Sequence, residues 1–300
     1  MKRRDFIKTV SGIGVTALFA STSVFSKNKQ AYPGIVVAEG GEPVSLVRKA
    51  IESAGGMSRF ISQGDIVVLK PNISWDRVPM QAATTNPEIV AEVTKMCLEV
   101  GAKKVKVFDH TLNEPRRCYQ RSGIEKSVKE SGGEIQYVYD RKFKNVQLPE
   151  GELITSWEIY DEVLEADKII NLPIAKHHSI SGVSLAMKNV MGFLGGNRGK
   201  LHRQFDTKIT DINGFIRSDL IILDAYRMLS RNGPSGGNLS DVQLKKTVAV
   251  GTDIVAVDSF GASLFNLNPK QISFLVKANE RGLGQNDLKK IDIETIRLAI

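Results

Sequence analysis

The strongest constraint on the fold is the alternation of short apolar runs with amphipathic helical segments along the chain. Apolar runs rich in β-branched residues recur at 34–38, 66–69, 105–108, 135–138, 168–172, 220–223 and 247–250. Such runs are typical of strands buried between two layers. The alternation predicts an α/β fold with a mostly parallel sheet flanked by helices. The polar segment 140–157 predicts an irregular β excursion with an edge hairpin.

Polar side chains follow five of these predicted strands. They are Lys70 with Asn72, Asp109 with His110, Lys176 with His177 and His178, Asp224, and Thr252 with Asp253. The carboxyl ends of parallel strands meet at one edge of a sheet, where open α/β folds bind ligands. For Asp224 and Asp253, capping a helix is the alternative role. The five groups together predict a ligand site at this edge.

The segment 167–202 holds three of the four histidines of the chain, namely His177, His178 and His202. Lys188 lies between them, and several glycines allow the backbone to approach a ligand closely. We read 174–183 as a basic loop and expect a helix near 184–191. Imidazoles bind metals and move protons near neutral pH, and an amine binds anions or acts as a nucleophile. The segment predicts that Lys188 and His202 reach one ligand, which is anionic or bears a metal.

Residues 2–8, KRRDFIK, form a twin-arginine export motif followed by a weakly apolar stretch, 9–20, and small residues at 21–26. The apolar stretch is shorter than the roughly 20 residues that span a bilayer, so we expect no stable membrane anchor. The prediction is a signal peptide at 1–26, a domain at 27–300, and export by the twin-arginine translocase to the periplasm or the exterior.

The charge of the chain is mildly basic after the predicted cleavage. Residues 1–26 contain four basic side chains and one acidic one, so the formal charge of +8 falls to +5. The remaining basic residues are scattered among acidic ones, which gives no support for nucleic-acid binding. A small anionic ligand fits this distribution.

The two cysteines of the chain, Cys97 and Cys118, exclude the usual four-cysteine iron–sulfur and zinc sites. No iron–sulfur cluster is expected. Cys97 lies in an apolar helical pattern typical of a core residue. A disulfide to Cys118 in an oxidising compartment is the alternative.

Several motifs resemble the bacterial family called domain of unknown function 362 over almost all of the predicted mature chain. They are Lys70-Pro71-Asn72, Thr84-Thr85-Asn86-Pro87, Ile170-Asn171-Leu172-Pro173, Met187-Lys188-Asn189 with Gly192, His202, Gly233-Pro234, and 253–258. The resemblance implies a single α/β domain of that type and adds Thr85 and Asn189 to the candidate ligand-binding residues, beside Lys70, Asn72, Lys188 and Asp224. Members of that family are often exported by the twin-arginine route.

A more remote resemblance is to lactate racemase, a nickel-pincer enzyme. His178, Lys188 and His202 are similar in order to a histidine that follows a strand, a lysine that holds the cofactor covalently and a nickel-binding histidine, and His110 matches the acid/base histidine. The run before the lysine, 181–187, and the spacing to His202 differ. The resemblance implies a shared scaffold and site, with nickel as a candidate metal.

Two classes of function follow from these observations. The first is an exported, cofactor- or metal-dependent isomerase or oxidoreductase acting on a small anionic substrate, with His110 and His178 as catalytic residues and His202 as a metal ligand. The second is a non-catalytic periplasmic protein that binds or carries a metal or an anionic ligand.

Overall fold

The computed structural model describes residues 32–299, so the predicted signal peptide at 1–26 lies outside the described residues. The strands are β1 Ile35–Glu39, β2 Ile66–Pro71, β3 Lys104–Val107, β4 Glu134–Ile135, β5 Phe143–Gln147, β6 Ser156–Tyr160, β7 Lys168–Leu172, β8 Ile174–His178, β9 Gly182–Ser184, β10 Leu220–Leu229, β11 Val242–Gly251 and β12 Ile293–Arg297. The helices are α1 Pro43–Ser53, α2 Pro87–Glu99, α3 Pro115–Arg121, α4 Ile124–Glu130, α5 Asp161–Glu165, α6 Ala186–Asn189, α7 Phe205–Phe215, α8 Ile254–Ser263 and α9 Ser273–Glu280.

One ten-stranded sheet organises the described residues, with the order β12-β1-β11-β10-β7-β2-β3-β4. β8 pairs with the second half of β10, and β9 pairs with β8. Every pair along the main path is parallel except the two that involve β11. The predicted α/β fold with a mostly parallel sheet flanked by helices is therefore confirmed.

The hydrophobic core lies on both faces of this sheet. Successive residues of β10 point to opposite sides, so Ile222 packs in the cluster with α1 and α2, whereas Ile221 packs in the cluster with α7, α8 and α9. This alternation follows from the two-residue period of a strand. Burial on both faces explains why the central strands read as continuous apolar runs.

Several helices begin after residues whose side chains accept from the first free backbone N–H groups. Asn86 precedes α2 and its side chain accepts from Glu88 N at 3.0 Å, and Pro87 takes the first helical position. Asp253 caps α8 by accepting from Ala256 N at 2.9 Å. No helix within residues 32–299 is both long and apolar enough to cross a membrane.

The position predicted for Asp253 was wrong because β11 runs antiparallel to its neighbours. The carboxyl end of β11 pairs with the first residues of the adjacent strands, as Gly251 does with Ile35 and Ile221. Asp253 therefore lies at the edge opposite to the one that holds the other four predicted groups. Its role is that of the helix cap, the alternative noted from the sequence.

The predicted basic loop after β7 is also corrected, since residues 174–184 form the hairpin of β8 and β9. The polar residues of β8 gain backbone partners from β10, which the local sequence does not indicate. The strand predicted at 135–138 is only the two-residue β4. Helix α3 and strand β12 were not predicted.

The segment predicted as an irregular β excursion contains β5 and β6, which pair antiparallel as a separate two-stranded sheet. An isolated bridge between Ile159 and Leu194 joins this hairpin to the segment after α6. The hairpin thereby covers one side of the region where the predicted site residues lie.

The two cysteines are free thiols in the structure. Cys97 is fully buried in the core beside Met57, and Cys118 is buried beside the Ser74 carbonyl. Burial raises the pKa of Cys118 to about 11, so this thiol is protonated and unreactive at neutral pH.

Candidate functional site

The carboxyl ends of β2, β3, β7 and β8 bring the predicted residues together at one edge of the sheet. Lys70 of β2 lies in register with Asn171 of β7, and Leu69 with Val107 of β3. The polar groups that follow these strands therefore share one region. The predicted location of the site at this edge agrees with the geometry.

A buried ion pair forms the centre of this region. The Nζ atom of Lys70 lies 2.8 Å from Asp109 Oδ1, and both side chains are almost completely buried. Lys70 also donates to the Pro71 carbonyl, and the other oxygen of Asp109 accepts from Ile73 N at 2.6 Å. Burial lowers the pKa of Lys70 while Asp109 opposes that effect. The pair ties the end of β2 to the end of β3.

Asn189 links this pair to two further strand ends. Its amide nitrogen donates to the Lys70 carbonyl and to Asn171 Oδ1, both at 2.8 Å. Its oxygen accepts from Lys70 Nζ at 3.2 Å and from Asn72 Nδ2 at 3.1 Å. Thr85 completes the network by accepting from Asn72 N and donating to the Leu172 carbonyl. Four of the predicted ligand-binding residues, Lys70, Asn72, Thr85 and Asn189, thus bond to one another and fix α6.

Helix α6 is a single turn that carries Lys188, and its amino end is held by a buried carboxylate. The two oxygens of Asp258 accept from Ala186 N at 2.7 Å and Met187 N at 2.9 Å. Burial raises the pKa of Asp258 to about 7. Asn213 bonds the Met187 carbonyl from α7. The orientation of Lys188 is therefore set from both sides of the turn.

The amine of Lys188 lies in mostly apolar surroundings. Its Nζ atom is 3.0 Å from His202 Nε2, 3.6 Å from the sulfur of Met191 and 4.8 Å from the centre of the Phe205 ring. Among residues 32–299 no carboxylate lies within ion-pair distance of it. Burial lowers the pKa of Lys188 to about 7, so a large fraction of the amine is uncharged at neutral pH. The predicted proximity of Lys188 and His202 is confirmed.

His178 and His202 stack with their ring centres 5.7 Å apart and their planes 9° from parallel. His178 Nδ1 accepts from Ile180 N and Ser181 N, each at 3.2 Å, so in the neutral ring the proton is on Nε2. Burial, with the nearby Lys188 and His202, lowers the pKa of His178 to about 3. Burial and Lys188 also lower the pKa of His202. Both rings are neutral at physiological pH.

The side chains around His202 do not form a metal site made of three or more protein ligands. His202 Nε2 faces the amine of Lys188 at 3.0 Å, and the ring of His178 lies parallel to that of His202. Residues 32–299 contain no group of three or more His, Cys, Asp or Glu side chains that could hold a metal ion. The geometry gives no support to the role predicted for His202 as a metal ligand, nickel included.

Lys176 is a second buried lysine that has no carboxylate partner among residues 32–299. It donates to Asn72 Oδ1 at 3.0 Å and to the Ala83 carbonyl at 2.8 Å. Burial lowers its pKa to about 7, Asp109 opposes this, and the charges of Lys188 and Lys70 reinforce it. Asp109 is thus paired with Lys70 and also acts electrostatically on Lys176.

His110 lies on the other side of the ion pair. Its Nδ1 is 2.7 Å from the Leu194 carbonyl, which can only accept, so Nδ1 carries the proton and Nε2 has a free lone pair. Arg198 donates to the carbonyls of His110 and Thr111 at 2.6 and 3.0 Å. Burial and Arg198 lower the pKa of His110. Its partners are different from those of His178, which stacks on His202.

Asp224 occupies a structural position at the same edge. Its oxygens accept from Asn86 N at 2.7 Å and Tyr226 N at 3.0 Å, which joins β10 to the start of α2. Burial raises its pKa to about 6. Because both oxygens are already bonded to backbone, Asp224 positions the strand end and does not face a ligand.

Four further residues contribute to the site. Asp109 and Lys176 belong to the predicted strand-end groups, although neither was assigned a catalytic or ligand-binding role of its own. Arg198 and Asp258 reach the site from distant segments, and nothing in their local sequence indicates it. The residues around position 192 likewise do not indicate that a glycine is needed there.

Gly192 lies directly against the central ion pair, and a Cβ atom there would sit within 2.6 Å of Lys70 Nζ and closer still to Asp109. We expect Gly192→Ala to lower the free energy of unfolding by about 1–3 kcal/mol, because overpacking must displace the pair. Gly214→Ala is the control, since no atom lies within 4 Å of its added Cβ. Urea denaturation of both variants measures the difference, and equal stability would contradict the packing described here.

Comparison with known proteins gives relatives in sequence and in fold. The chain is 27% identical over 259 residues to the thylakoid-associated protein sll1697 of Synechocystis sp., covering 82% of this chain and 77% of that protein. The lactate racemase apoprotein of Thermoanaerobacterium thermosaccharolyticum aligns with a TM-score of 0.44 and 12% identity over 74% of this chain. A Thermotoga maritima crystal structure aligns with a TM-score of 0.42 and 9% identity over 80% of it. The chain spans only 55% and 60% of those two solved chains.

The family comparison covers the strands and helices that build the site. The model of the domain of unknown function called DUF362 matches residues 67–263, which include β2, α6, β10 and α8. Lys70, Asp109, Lys176, Lys188 and Asp258 all lie within the match. The chain therefore belongs to the DUF362 family.

Proposed function

We propose that this protein is an enzyme that binds a small anionic substrate at the carboxyl edge of its sheet and moves a proton on it, as an isomerase or an oxidoreductase does. The observation that carries this proposal is the excess of buried positive groups. Lys176 and Lys188 have no carboxylate partner within the described residues, and Asp109 is already paired with Lys70.

Burial of these amines without a counter-charge has an energetic cost. The folded-state pKa values of Lys176 and Lys188 are lowered to about 7 from 10.5. As the pH falls from 10.5 to about 7, these lysines take up protons in the unfolded chain but not in the folded chain, so the fold is destabilised progressively over that range and the full cost is present below a pH of about 7. A bound anion would offset this cost by stabilising the protonated amines. The site is therefore suited to a ligand of negative charge.

The histidines supply complementary proton-transfer groups. Neutral His110 offers a lone pair at Nε2, and neutral His178 carries its proton on Nε2. The ring of His110 can accept a proton as a general base, and the neutral ring of His178 can donate a hydrogen bond to a carbonyl oxygen on which negative charge develops. Lowered pKa values keep both rings neutral at working pH. These features favour an enzyme over a carrier.

Anion binding should depend on Lys176. We expect Lys176→Met to weaken binding of small carboxylates by about tenfold or more, roughly 1.4 kcal/mol, because the methionine keeps the packing but removes the charge. Isothermal titration with acetate, malonate and inorganic phosphate measures the affinity. Lys126→Met is the control, since that side chain is 80% exposed on α4. Equal affinity in the two variants and the parent would contradict this site.

The same titration should depend on pH. The amines are charged below a pH of about 7 and lose their protons above it, so affinity should fall as the pH rises through that value.

A carrier would give the same binding data, so turnover of a candidate substrate with and without His110→Asn separates the two functions. Binding without any turnover would favour the carrier.

We also propose that the protein is exported by the twin-arginine translocase and works in the periplasm or outside the cell. Arg3 and Arg4, followed by Phe6 and Lys8, support this. Replacing both arginines by lysine should leave a full-length precursor in the cytoplasm, because the translocase recognises the arginine pair. Immunoblots of cell fractions measure the outcome, and normal export of that variant would contradict the proposal.

A further inference from the structure

The amine of Lys188 has the surroundings of a nucleophile. Only a small part of its side chain is exposed, and a thioether and an aromatic ring are its apolar neighbours. Uncharged amines attack carbonyl carbons, and desolvation is one means by which proteins keep a lysine uncharged. The described residues place no carboxylate beside it that would hold the proton on the amine.

We propose, building on the function above, that Lys188 forms an imine with the carbonyl group of a small substrate that also bears a carboxylate. The Nζ lone pair attacks the carbonyl carbon, an N–C bond forms and the π electrons move to oxygen. The C–O bond then breaks. The two amine hydrogens and the carbonyl oxygen leave as one water, so no oxidant or reductant is needed.

His202 is placed to move the protons in this step. Its Nε2 lies 3.0 Å from Lys188 Nζ, and its ring also bonds to the Gly199 backbone, so the lone pair of Nε2 faces the amine and can accept a proton from it. His202 takes a proton from nitrogen as the N–C bond forms and returns it to the departing oxygen. Stacking between His178 and Phe205 fixes the orientation of the ring.

Lys176 gives the site its preference for a carboxylate. Two of its N–H groups bond to Asn72 and Ala83, which leaves one for a ligand. Lys176 of β8 pairs with Ser184 of β9, and β9 leads directly into α6, which carries Lys188, so both lysines lie at the same end of this hairpin. A substrate bridging them would place its carboxylate at Lys176 and its carbonyl at Lys188. An imine at that carbonyl acidifies the adjacent C–H bond, which fits the proton transfer assigned to the histidines.

Reductive trapping tests this chemistry directly. Glyoxylate is the probe because it combines an aldehyde with a carboxylate, and sodium cyanoborohydride converts an imine to a stable secondary amine. We expect one carboxymethyl group per chain at low glyoxylate concentration, located on Lys188 by peptide mass spectrometry. Acetaldehyde, which lacks the carboxylate, should label Lys188 at least tenfold more slowly.

Variants separate the roles of the two lysines. Lys188→Met should abolish rapid labelling, whereas Lys176→Met should retain labelling at Lys188 but lose the preference for glyoxylate over acetaldehyde. Circular dichroism checks that each variant is folded. Should Lys188→Met fail to fold, the labelled position in the parent chain decides the question without it.

Labelling spread over exposed lysines such as Lys126, with Lys188 no faster than the others, would overturn the inference. If acetate still binds in that case, the proposed anion site stands and only the imine chemistry is lost. If glyoxylate neither binds nor labels Lys188, and acetate and phosphate do not bind either, the proposed function fails as well.

Discussion

The buried ion pair between Lys70 and Asp109 is the interaction on which the site depends. Two charges without solvent are costly, and here each is offset by the other and by backbone or amide groups. The pair joins two strand ends, and Asn189 extends that connection to β7 and to the turn that carries Lys188. Gly192 lies against it because no larger residue fits there. Removal of one partner would leave a buried charge and loosen several elements at once.

The ion-paired Lys70 contrasts with two other buried amines near it, those of Lys176 and Lys188. Lys176 and Lys188 are as buried as many core residues, yet neither meets a carboxylate within residues 32–299. Proteins that neutralise buried lysines for stability alone do so with ion pairs, as this chain does at Lys70. An unneutralised pair of amines at the ligand-binding edge of an α/β sheet is better explained by a ligand that brings the charge.

The sequence was sufficient for the parts of the site that depend on strand ends. Parallel strands carry their own signal, so the end of β2, which holds Lys70 and precedes Asn72, was predicted correctly. The predicted proximity of Lys188 and His202 also agrees with the structure. The direction of β11 was not predictable, because an apolar run reads the same in either direction, and Asp253 was misplaced as a result. Arg198 and Asp258 join the site through long-range contacts that local patterns do not contain.

The most direct test of the central claim is the ionisation of the two amines. Lysines labelled with carbon-13 at Cε can be titrated by NMR, with Lys176→Met and Lys188→Met used for assignment. We expect two resonances in the ligand-free protein to titrate near pH 7, well below the ordinary value of 10.5, and to shift upward when a small carboxylate binds. Titration of both near 10.5, unchanged by any anion, would show that the site does not hold unneutralised amines and would contradict the function proposed for it.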